Sequence, residues 1–509
     1  MTRAGRLPSA DGGVRGVVAA GHPLSAEVGA RALAEGGNAT DAACAAAFAG
    51  AVAESPLTGP GAGGFMLVQP AGEAPTLLDF FVAVPGLGPA GRALDPGTLD
   101  AFTVPFGGAE QVFHIGPSSV AVPGMLAGLV EAHNRFGRLR LRDLVAPAVV
   151  AAREGVAISS AAAYLHEILR DMLTREPESA DVYSPDGQFL AEGDVLVAPD
   201  LADTLEAVGE RGNLCRPDGP VGRALLRLSD RGALVTETDL ACYRVIEREP
   251  LQVDYRGFTL LTNPLPSLGG PLIGHALDAI AAGEPAASDA AHYRAAVRGA
   301  EAADAKRRDG GEPRRAPAGS TTHISVLDPE GGAVSLSSSN GSSSGVMAPG
   351  TGVLLNNMLG EQDLNPGGFG RGTPGERMPS MMAPTLLLRG GEPVAALGSA
   401  GSNRLRSAIL QTVLGIVDAG LSPRAAVERP RVHLERLGHV LDVEAGVPEA
   451  ALDPLVAEGY ELRRWGERNL FFGGVGLAMH GPDGLDAAGD PRRGGAAFGV
   501  TRAGDVVRL

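Results

Sequence analysis

A polar segment rich in glycine, proline and arginine stands directly before a strand-like segment in the second half of the chain. Residues 307–319, RRDGGEPRRAPAG, carry almost no apolar side chains, which predicts an exposed loop that does not pack. The next segment begins with Thr321 and Thr322 and continues as HISVLDPEGGAVSLSSS, with polar and apolar residues alternating on both sides of PEGG. This alternation predicts a β-hairpin whose first strand begins at the two threonines.

Thr321 stands where a self-cleaving enzyme would place its nucleophile. Cleavage of the loop before a strand gives the next residue a free α-amine, whose pKa is about 7.7–8.0. Such an amine can accept the proton of its own threonine hydroxyl near neutral pH. The alternative is that Thr321 and Thr322 are ordinary β-branched strand residues, and the local pattern alone favours this alternative.

Composition limits the class of protein. The chain has 509 residues, of which 44% are hydrophobic and 20% charged, and this predicts a large folded core. Its net charge of −16 argues against a polyanionic partner, so we expect no nucleic-acid ligand. Three cysteines without metal-binding spacing predict neither a disulfide framework nor a zinc site. The sequence shows no apolar leader and no membrane-spanning run, which predicts a cytoplasmic protein without membrane contact.

Four motifs of the C-terminal half resemble the small-subunit half of the γ-glutamyltranspeptidase family, which belongs to the N-terminal nucleophile hydrolases. The motifs are TTHISVLDPEGGAVSLSSSN, GVMAPGTGVLLNNML, RMPSMMAPTLLL and LGSAGSNRLRSAILQ, in the family's order and close to its spacing. The resemblance implies an α+β fold, a four-layer αββα sandwich of the N-terminal nucleophile hydrolase type, without a metal or an organic cofactor.

The same resemblance implies self-cleavage between Ser320 and Thr321. The products would be a large subunit of residues 1–320 and a small subunit of residues 321–509, which remain together as one intertwined unit. The expected partners are therefore these two subunits and a small-molecule amide substrate, and a homodimer of the cleaved unit is an open alternative.

Four positions match catalytic positions of the family. Thr321 would be the nucleophile, and Ser339 falls where the family has a threonine whose hydroxyl contacts the nucleophile's α-amine. Gly401 and Ser402, in GSAGSNR, fall at two residues whose backbone N–H groups form the oxyanion hole. Ser402 replaces a glycine there, so this hole requires backbone dihedral angles that tolerate a Cβ atom.

Three positions of the C-terminal half match substrate-binding motifs with departures. Glu361, in NNMLGEQD, falls where a family carboxylate binds the substrate's α-amine. Ser380 keeps one hydroxyl of a family double serine, and Met381 replaces the other. Asn340 lies one residue before the family's substrate-binding asparagine, whose own position holds Gly341. Either a small shift lets Asn340 bind substrate, or that contact is lost.

Phe81 is the most informative departure. It stands where transpeptidases that process glutathione have an arginine that grips the substrate's α-carboxylate. A phenylalanine cannot replace a bidentate arginine–carboxylate pair. Either another arginine reaches the site or the preferred substrate differs.

Several functions follow from these observations. The first is a self-processing γ-glutamyltranspeptidase-like hydrolase or acyltransferase that cleaves a γ-glutamyl or related amide, such as glutathione, through an acyl-enzyme on Thr321. A cephalosporin-acylase-like or specialised secondary-metabolism hydrolase of the same family is the alternative that Phe81 favours. A binding scaffold without catalysis is a third. A serine hydrolase using GSSSG at 341–345 is excluded, because Pro349 and two glycines follow where that motif requires a helix.

Overall fold

The computed structural model describes residues 13–105, 110–309, 321–365, 367–402, 404–434 and 439–509. Ser320, on one side of the predicted cleavage bond, lies outside these residues, whereas Thr321 lies inside them. Among the described helices, none is both long enough and apolar enough to cross a membrane.

The strands are short, and their bounds follow in chain order. They are β1 (Val14–Ala20), β2 (Gly63–Gln69), β3 (Thr76–Phe80), β4 (Asp100–Pro105), β5 (Glu110–Ile115), β6 (Val156–Ala157), β7 (Val195–Leu196), β8 (Ile246–Arg248), β9 (Leu251–Tyr255), β10 (Phe258–Thr262), β11 (Thr322–Leu327), β12 (Ala333–Ser339), β13 (Met347–Ala348), β14 (Val353–Leu354), β15 (Thr385–Arg389), β16 (Glu392–Ala400), β17 (Val432–Leu434), β18 (Val440–Val443), β19 (Glu461–Arg464), β20 (Gly474–Gly481), β21 (Gly484–Gly489), β22 (Ala496–Thr501) and β23 (Val506–Arg508).

The α-helices lie mostly in the first 310 residues. They are α1 (Pro23–Ala34), α2 (Ala39–Ala53), α3 (Met125–Phe136), α4 (Leu141–Glu154), α5 (Ser160–Ile168), α6 (Arg170–Leu173), α7 (Pro177–Tyr183), α8 (Pro199–Arg211), α9 (Pro220–Arg227), α10 (Glu237–Cys242), α11 (Gly269–Ala281), α12 (Asp289–Asp309), α13 (Arg404–Val417), α14 (Pro423–Glu428) and α15 (Glu449–Ala457). Because α12 continues to Asp309, residues 307–309 are helical rather than part of a loop, which corrects the start of the predicted loop.

The largest sheet contains the predicted hairpin. Within the described residues it has eight strands in the order β23-β22-β1-β11-β12-β2-β3-β8. Strands β11 and β12 pair antiparallel with Thr322 opposite Ser338 and Leu327 opposite Ala333, so the hairpin prediction is confirmed. Strand β1 flanks β11 and β2 flanks β12, and both neighbouring pairs are antiparallel. The strand that follows Thr321 is therefore central in its sheet.

A second sheet faces the first. In the described part of the chain it has six strands in the order β21-β20-β16-β15-β10-β9. Strands β11 and β12 contact β16, and β1 contacts β20 and β21. Residues before and after position 320 contribute strands to both sheets. Helices α1 and α2 pack on the eight-stranded sheet, while α11, α13 and α14 pack on the six-stranded sheet.

A polar contact lies between the two sheets close to Thr321. The buried ring of His323 is within hydrogen-bonding distance of Ser337 Oγ at 2.8 Å and of Ser325 Oγ at 2.9 Å. Burial lowers the pKa of His323 to about 3, so the ring is neutral. A Cβ atom at Gly398, on the facing strand β16, would lie 2.3 Å from His323 Cε1. Glycine at this position makes room for the imidazole, and the ring in turn fixes the start of β11.

Candidate active site

A small cavity, with a volume of about 40 Å³, adjoins the start of β11. Its walls come from the ends of β3 and β12, the loop after β14, the segment before β15 and the beginning of α13. The residues that line it are Phe81, Thr321, Ser339, Gly341, Met358, Glu361, Asp363, Leu364, Ser380, Met381, Met382, Ser402 and Leu405. Nucleophilic, acidic and apolar side chains therefore meet at the residue that the sequence singles out.

Thr321 and Ser339 lie at neighbouring strand ends. Thr321 lines the cavity and is 4% exposed. Because Thr322 pairs with Ser338, the register places Ser339 opposite Thr321 at the end of the ladder. The Oγ of Ser339 accepts a hydrogen bond from the N–H of Gly341 at 2.9 Å, which fixes the turn after β12. These two predicted catalytic residues therefore lie side by side, and a third, Ser402, lines the same cavity.

A buried carboxyl group supports the strand residue next to Thr321. Glu54, at the C-terminal end of α2, accepts a hydrogen bond from Thr322 Oγ1 at 2.6 Å and one from Ser25 Oγ at 3.2 Å. Burial raises the pKa of Glu54 to about 7, although the two hydroxyl donors oppose the shift. The contact ties the first half of the chain to the residue that directly follows the candidate nucleophile.

The original protein should lose stability as the pH rises from 5 to 8, and we expect the Glu54→Gln variant to lose less. The folded-state pKa of Glu54 lies above its ordinary value, so the stability that it contributes is present below about pH 4.5 and is lost as the pH rises through about 7. A shift from 4.5 to about 7 corresponds to about 3 kcal/mol in the free energy of unfolding. Melting temperatures of the original protein and the variant, measured in the same cleavage state across this pH range, test the prediction. Glu73→Gln, at an exposed position, is the control. If the melting temperatures of all three proteins depend equally on pH, the prediction is wrong.

Gly401 and Ser402 form the turn between β16 and α13. The N–H groups of Arg404 and Leu405 donate to the carbonyl groups of Gly401 and Ser402 at 3.0 and 3.1 Å, so the turn leads directly into the helix. Ser402 has φ +53°, in the left-handed region that costs a non-glycine residue about 1–2 kcal/mol. Its Oγ donates to Asp363 Oδ2 at 3.1 Å, which holds the residue in this conformation. Backbone N–H groups at a helix N-terminus suit a developing negative charge.

Two carboxyl groups occupy one side of the cavity. Glu361 and Asp363 are 3% and 7% exposed and both line it. Burial and the negative charge of Asp363 raise the pKa of Glu361 to about 8. Hydrogen bonds from Asn357 and Ser342 oppose part of this shift. Oε1 of Glu361 is buried without a hydrogen-bond partner among the described residues. Glu361 is therefore placed to accept a donor from a ligand.

An asparagine holds the loop that carries these carboxyl groups. Oδ1 of Asn357 accepts from the N–H of Ser342 at 2.9 Å, and its Nδ2 donates to Ser342 Oγ at 3.1 Å. Gly341 lies beside this pair with φ +71°. A Cβ atom there would lie 2.0 Å from Asn357 Oδ1 and 2.9 Å from Glu361 Oε1. Glycine is therefore required at position 341, because φ is positive and because a Cβ atom would collide with Asn357 and Glu361.

The family model described as Gamma-glutamyltranspeptidase matches residues 25–302 and 287–500. The chain belongs to this family. It is accordingly an enzyme of the γ-glutamyltranspeptidase-like hydrolase and acyltransferase type, and its fold is that of these N-terminal nucleophile hydrolases and acylases, with mixed helices and sheets.

Relatives within the γ-glutamyltranspeptidase family carry two kinds of name. The glutathione hydrolase proenzyme of Bacillus subtilis (strain 168) is 30% identical, over 96% of this chain and 92% of its own length. The acylase ACY 1 proenzyme of Pseudomonas sp. (strain SE83) is 32% identical, over 93% of this chain and 91% of its own length. The crystal structure of the cephalosporin acylase from Bacillus halodurans superposes with a TM-score of 0.80 at 25% identity, over 97% of each chain.

The structure places some of the residues suggested by the γ-glutamyltranspeptidase motifs at the cavity and others elsewhere. Ser380 lines it, with its Oγ accepting from the N–H of Met382 at 3.1 Å. Gly401 belongs to the adjoining turn but does not itself line the cavity. Asn340 does not line it either, because its Nδ2 donates to the carbonyl group of Ser55 at 3.4 Å. Gly341 occupies the cavity wall instead, and the described lining residues include no amide side chain in place of the family's asparagine.

Phe81 lies in the cavity wall, stacked on Phe65 with ring centroids 5.4 Å apart. The sequence left two alternatives: another arginine reaches the site, or the preferred substrate differs. The described lining contains no arginine, so the first alternative finds no support there. Two arginines lie close by, but both pair with Asp79: Arg248 at 2.7 Å and Arg377 at 3.1 Å. The position that would hold a carboxylate clamp in glutathione-processing family members is therefore apolar.

Sequence reasoning missed three residues that shape this γ-glutamyltranspeptidase-family site: Glu54, Asn357 and Asp363. A signal for Glu54 existed, since it directly follows a helix that consists almost entirely of small apolar residues and would be expected to bury its end. Asp363 gave no local signal, because it sits in a loop with other polar residues. The rejected GSSSG motif is followed by β13 rather than by a helix, which agrees with its exclusion.

Proposed function

We propose that the chain cleaves itself between Ser320 and Thr321 and then uses Thr321 as an N-terminal nucleophile on a small amide. The observation that carries this proposal is the buried cavity in which Thr321 meets Ser339, Glu361 and Ser402. On this proposal residues 1–320 form the large subunit and residues 321–509 the small one. The unbroken chain is then a zymogen.

The chemistry follows from the groups around Thr321. Its hydroxyl oxygen adds to the amide carbonyl carbon while its own α-amine takes the hydroxyl proton. The N–H groups of Gly401 and Ser402 stabilise the resulting oxyanion. Collapse of this intermediate breaks the C–N bond, the leaving amine receives the proton, and an ester on Thr321 remains. Water or an acceptor amine then attacks this ester and regenerates the hydroxyl group.

The acyl group is proposed to be γ-glutamyl or a related amino-acyl group, with Glu361 binding its amine. Ser380 and Phe81 complete the acyl pocket in this proposal. An acylase that prefers another acyl group is the second candidate, and the apolar Phe81 in place of a basic residue favours it. The names of the two sequence relatives cover both activities.

The finer architecture belongs to the same proposal. We infer a four-layer αββα sandwich, supported by the contacts of α1 and α2 with one sheet and of α11, α13 and α14 with the other. A homodimer of the cleaved unit and a cytoplasmic location stay predictions.

Incubation of the purified chain tests the proposal directly. Denaturing electrophoresis should show fragments of 320 and 189 residues, and the small fragment should begin with Thr321 by N-terminal sequencing. The cleaved protein should hydrolyse at least one anilide among γ-glutamyl, glutaryl and 4-aminobutanoyl derivatives, or glutathione itself. A chain that stays whole and inactive after long incubation would support the non-catalytic scaffold instead.

A further inference from the structure

We propose that the cavity selects acyl groups that carry an amine but no carboxylate at the end remote from the scissile amide. This inference rests on the proposed function and names the substrate class of the same site. A 4-aminobutanoyl group has this chemistry, whereas γ-glutamyl adds a carboxylate and glutaryl has the carboxylate alone.

The first argument is the charge of the lining. Glu361 and Asp363 are both more than nine-tenths buried in the cavity wall. Among the described lining residues no side chain carries a positive charge, and the α-amine that cleavage gives Thr321 accepts the hydroxyl proton in its neutral form. A substrate carboxylate would therefore lie beside the negative charge of Asp363 and the buried carboxyl group of Glu361, with no cationic side chain in the described lining, and a further negative charge in such a poorly solvated site is unfavourable.

The second argument is an unsatisfied acceptor. Oε1 of Glu361 has no hydrogen-bond partner among the described residues, although Glu361 is only 3% exposed. Leaving a buried polar atom unpaired is unfavourable, and an ammonium group on the ligand would satisfy it. The pKa of Glu361, raised to about 8 by burial and by Asp363, indicates that a second negative charge is unfavourable until a cation arrives.

The third argument concerns the arginines close to the cavity. Arg406 interacts electrostatically with Asp363, but its guanidinium pairs with Asp304 at 3.4 Å and it does not line the cavity. Arg248 and Arg377 are held by Asp79 in the same way. Each of these cations already has a carboxylate partner. Moving Arg406 toward a substrate would break its pair with buried Asp304, and moving Arg248 or Arg377 would remove one of the two cations that neutralise buried Asp79.

The remaining lining sets the shape of the acyl group. Phe81, Met358, Leu364, Met381 and Leu405 surround the carboxyl pair with apolar surface. Such surface suits the methylene chain of a short acyl group and offers no donor to a carboxylate. Asp363 is in turn held by Ser402 Oγ at 3.1 Å, so its position is coupled to the oxyanion turn.

Four anilides test the inference on the self-cleaved enzyme: 4-aminobutanoyl, γ-glutamyl, glutaryl and butanoyl. They cover all combinations of amine and carboxylate on one chain length. We expect kcat/KM for the 4-aminobutanoyl anilide to exceed that for the glutaryl anilide by about 100-fold and that for the γ-glutamyl anilide by about 10-fold. The butanoyl anilide should fall between the 4-aminobutanoyl and glutaryl compounds.

Two variants and a control locate the effect. Asp363→Asn should reduce the ratio between 4-aminobutanoyl and glutaryl anilides by about tenfold, because it removes one charge at constant shape. Phe81→Arg should raise kcat/KM for the two carboxylate-bearing anilides relative to the others. Gln362→Glu adds a charge at an exposed neighbouring position and should leave all ratios unchanged.

The outcomes separate this inference from the proposed function. If the enzyme cleaves itself and hydrolyses the glutaryl or γ-glutamyl anilide as well as the 4-aminobutanoyl one, the inference is wrong while the proposed function stands. If no anilide is hydrolysed, the proposed function fails, and thermal-shift titration with 4-aminobutanamide and glutaramate decides the inference. Equal stabilisation by both amides would then overturn it, and stabilisation by the amine alone would support it.

Discussion

Thr321→Ala is expected to leave the chain as one 509-residue band and to lower amide hydrolysis about 10³-fold or more. The variant removes the hydroxyl group that attacks both the bond before residue 321 and the substrate carbonyl carbon. Because Thr321 is buried beside Ser339 and Ser402, no solvent hydroxyl of comparable position replaces it. Electrophoresis and an anilide assay on the same preparation measure both effects.

A conservative variant controls for misfolding in this experiment. Thr321→Ser keeps the hydroxyl group and should still cleave, although more slowly, and circular dichroism should show the same secondary structure for both variants. Cleavage of Thr321→Ala at the same bond, with hydrolysis retained, would show that another group attacks. Thr322 would then be the next candidate, although its Oγ1 is bound to Glu54 at 2.6 Å.

Gly341→Ala is expected to lower kcat/KM by about 100-fold and to destabilise the fold by about 1–3 kcal/mol. The new Cβ would lie 2.0 Å from Asn357 Oδ1 and 2.9 Å from Glu361 Oε1, so at least one of these side chains must move. Movement of Asn357 would break its hydrogen bond to the N–H of Ser342, and movement of Glu361 would change the acyl pocket. Kinetics with the preferred anilide and a thermal melt report these two consequences.

Gly350→Ala is the matched control for the Gly341 variant. Gly350 has φ +69°, close to the +71° of Gly341, but a Cβ there meets no heavy atom within 4 Å. It therefore carries the same backbone cost without the collision, and its activity should stay near that of the original protein. Equal effects in the two variants would mean that the loop after β14 adjusts freely and that Gly341 has no particular role in the pocket.

The hairpin, and the position of Thr321 directly before its first strand, could be predicted from local patterns. Alternation over HISVLD and AVSLSSS fixes two strands, and PEGG fixes the turn between them, so the pairing of Thr322 with Ser338 follows from the sequence itself. A motif position alone does not determine where a side chain points. Asn340 is close in sequence to the expected binding position, yet its side chain is bonded to Ser55 and lies outside the cavity lining.

The acidic side of the pocket could not be predicted in the same way. Glu361 was identified because it occupies a motif position, but its partner Asp363 becomes significant only when burial places both beside Thr321. Glu54 and Thr322 are 268 residues apart in the sequence and meet at 2.6 Å. No local pattern encodes such a contact, since it depends on how α2 packs on the sheet.

By itself the amino-acid sequence determined the hairpin, the residue at its start and the order of the motifs, because strand alternation and turn chemistry act between near neighbours. Tertiary structure alone decided the electrostatics of the cavity. Whether a carboxylate is buried, and whether an arginine faces it or is held by another acid such as Asp79, depends on distances between segments far apart in the chain.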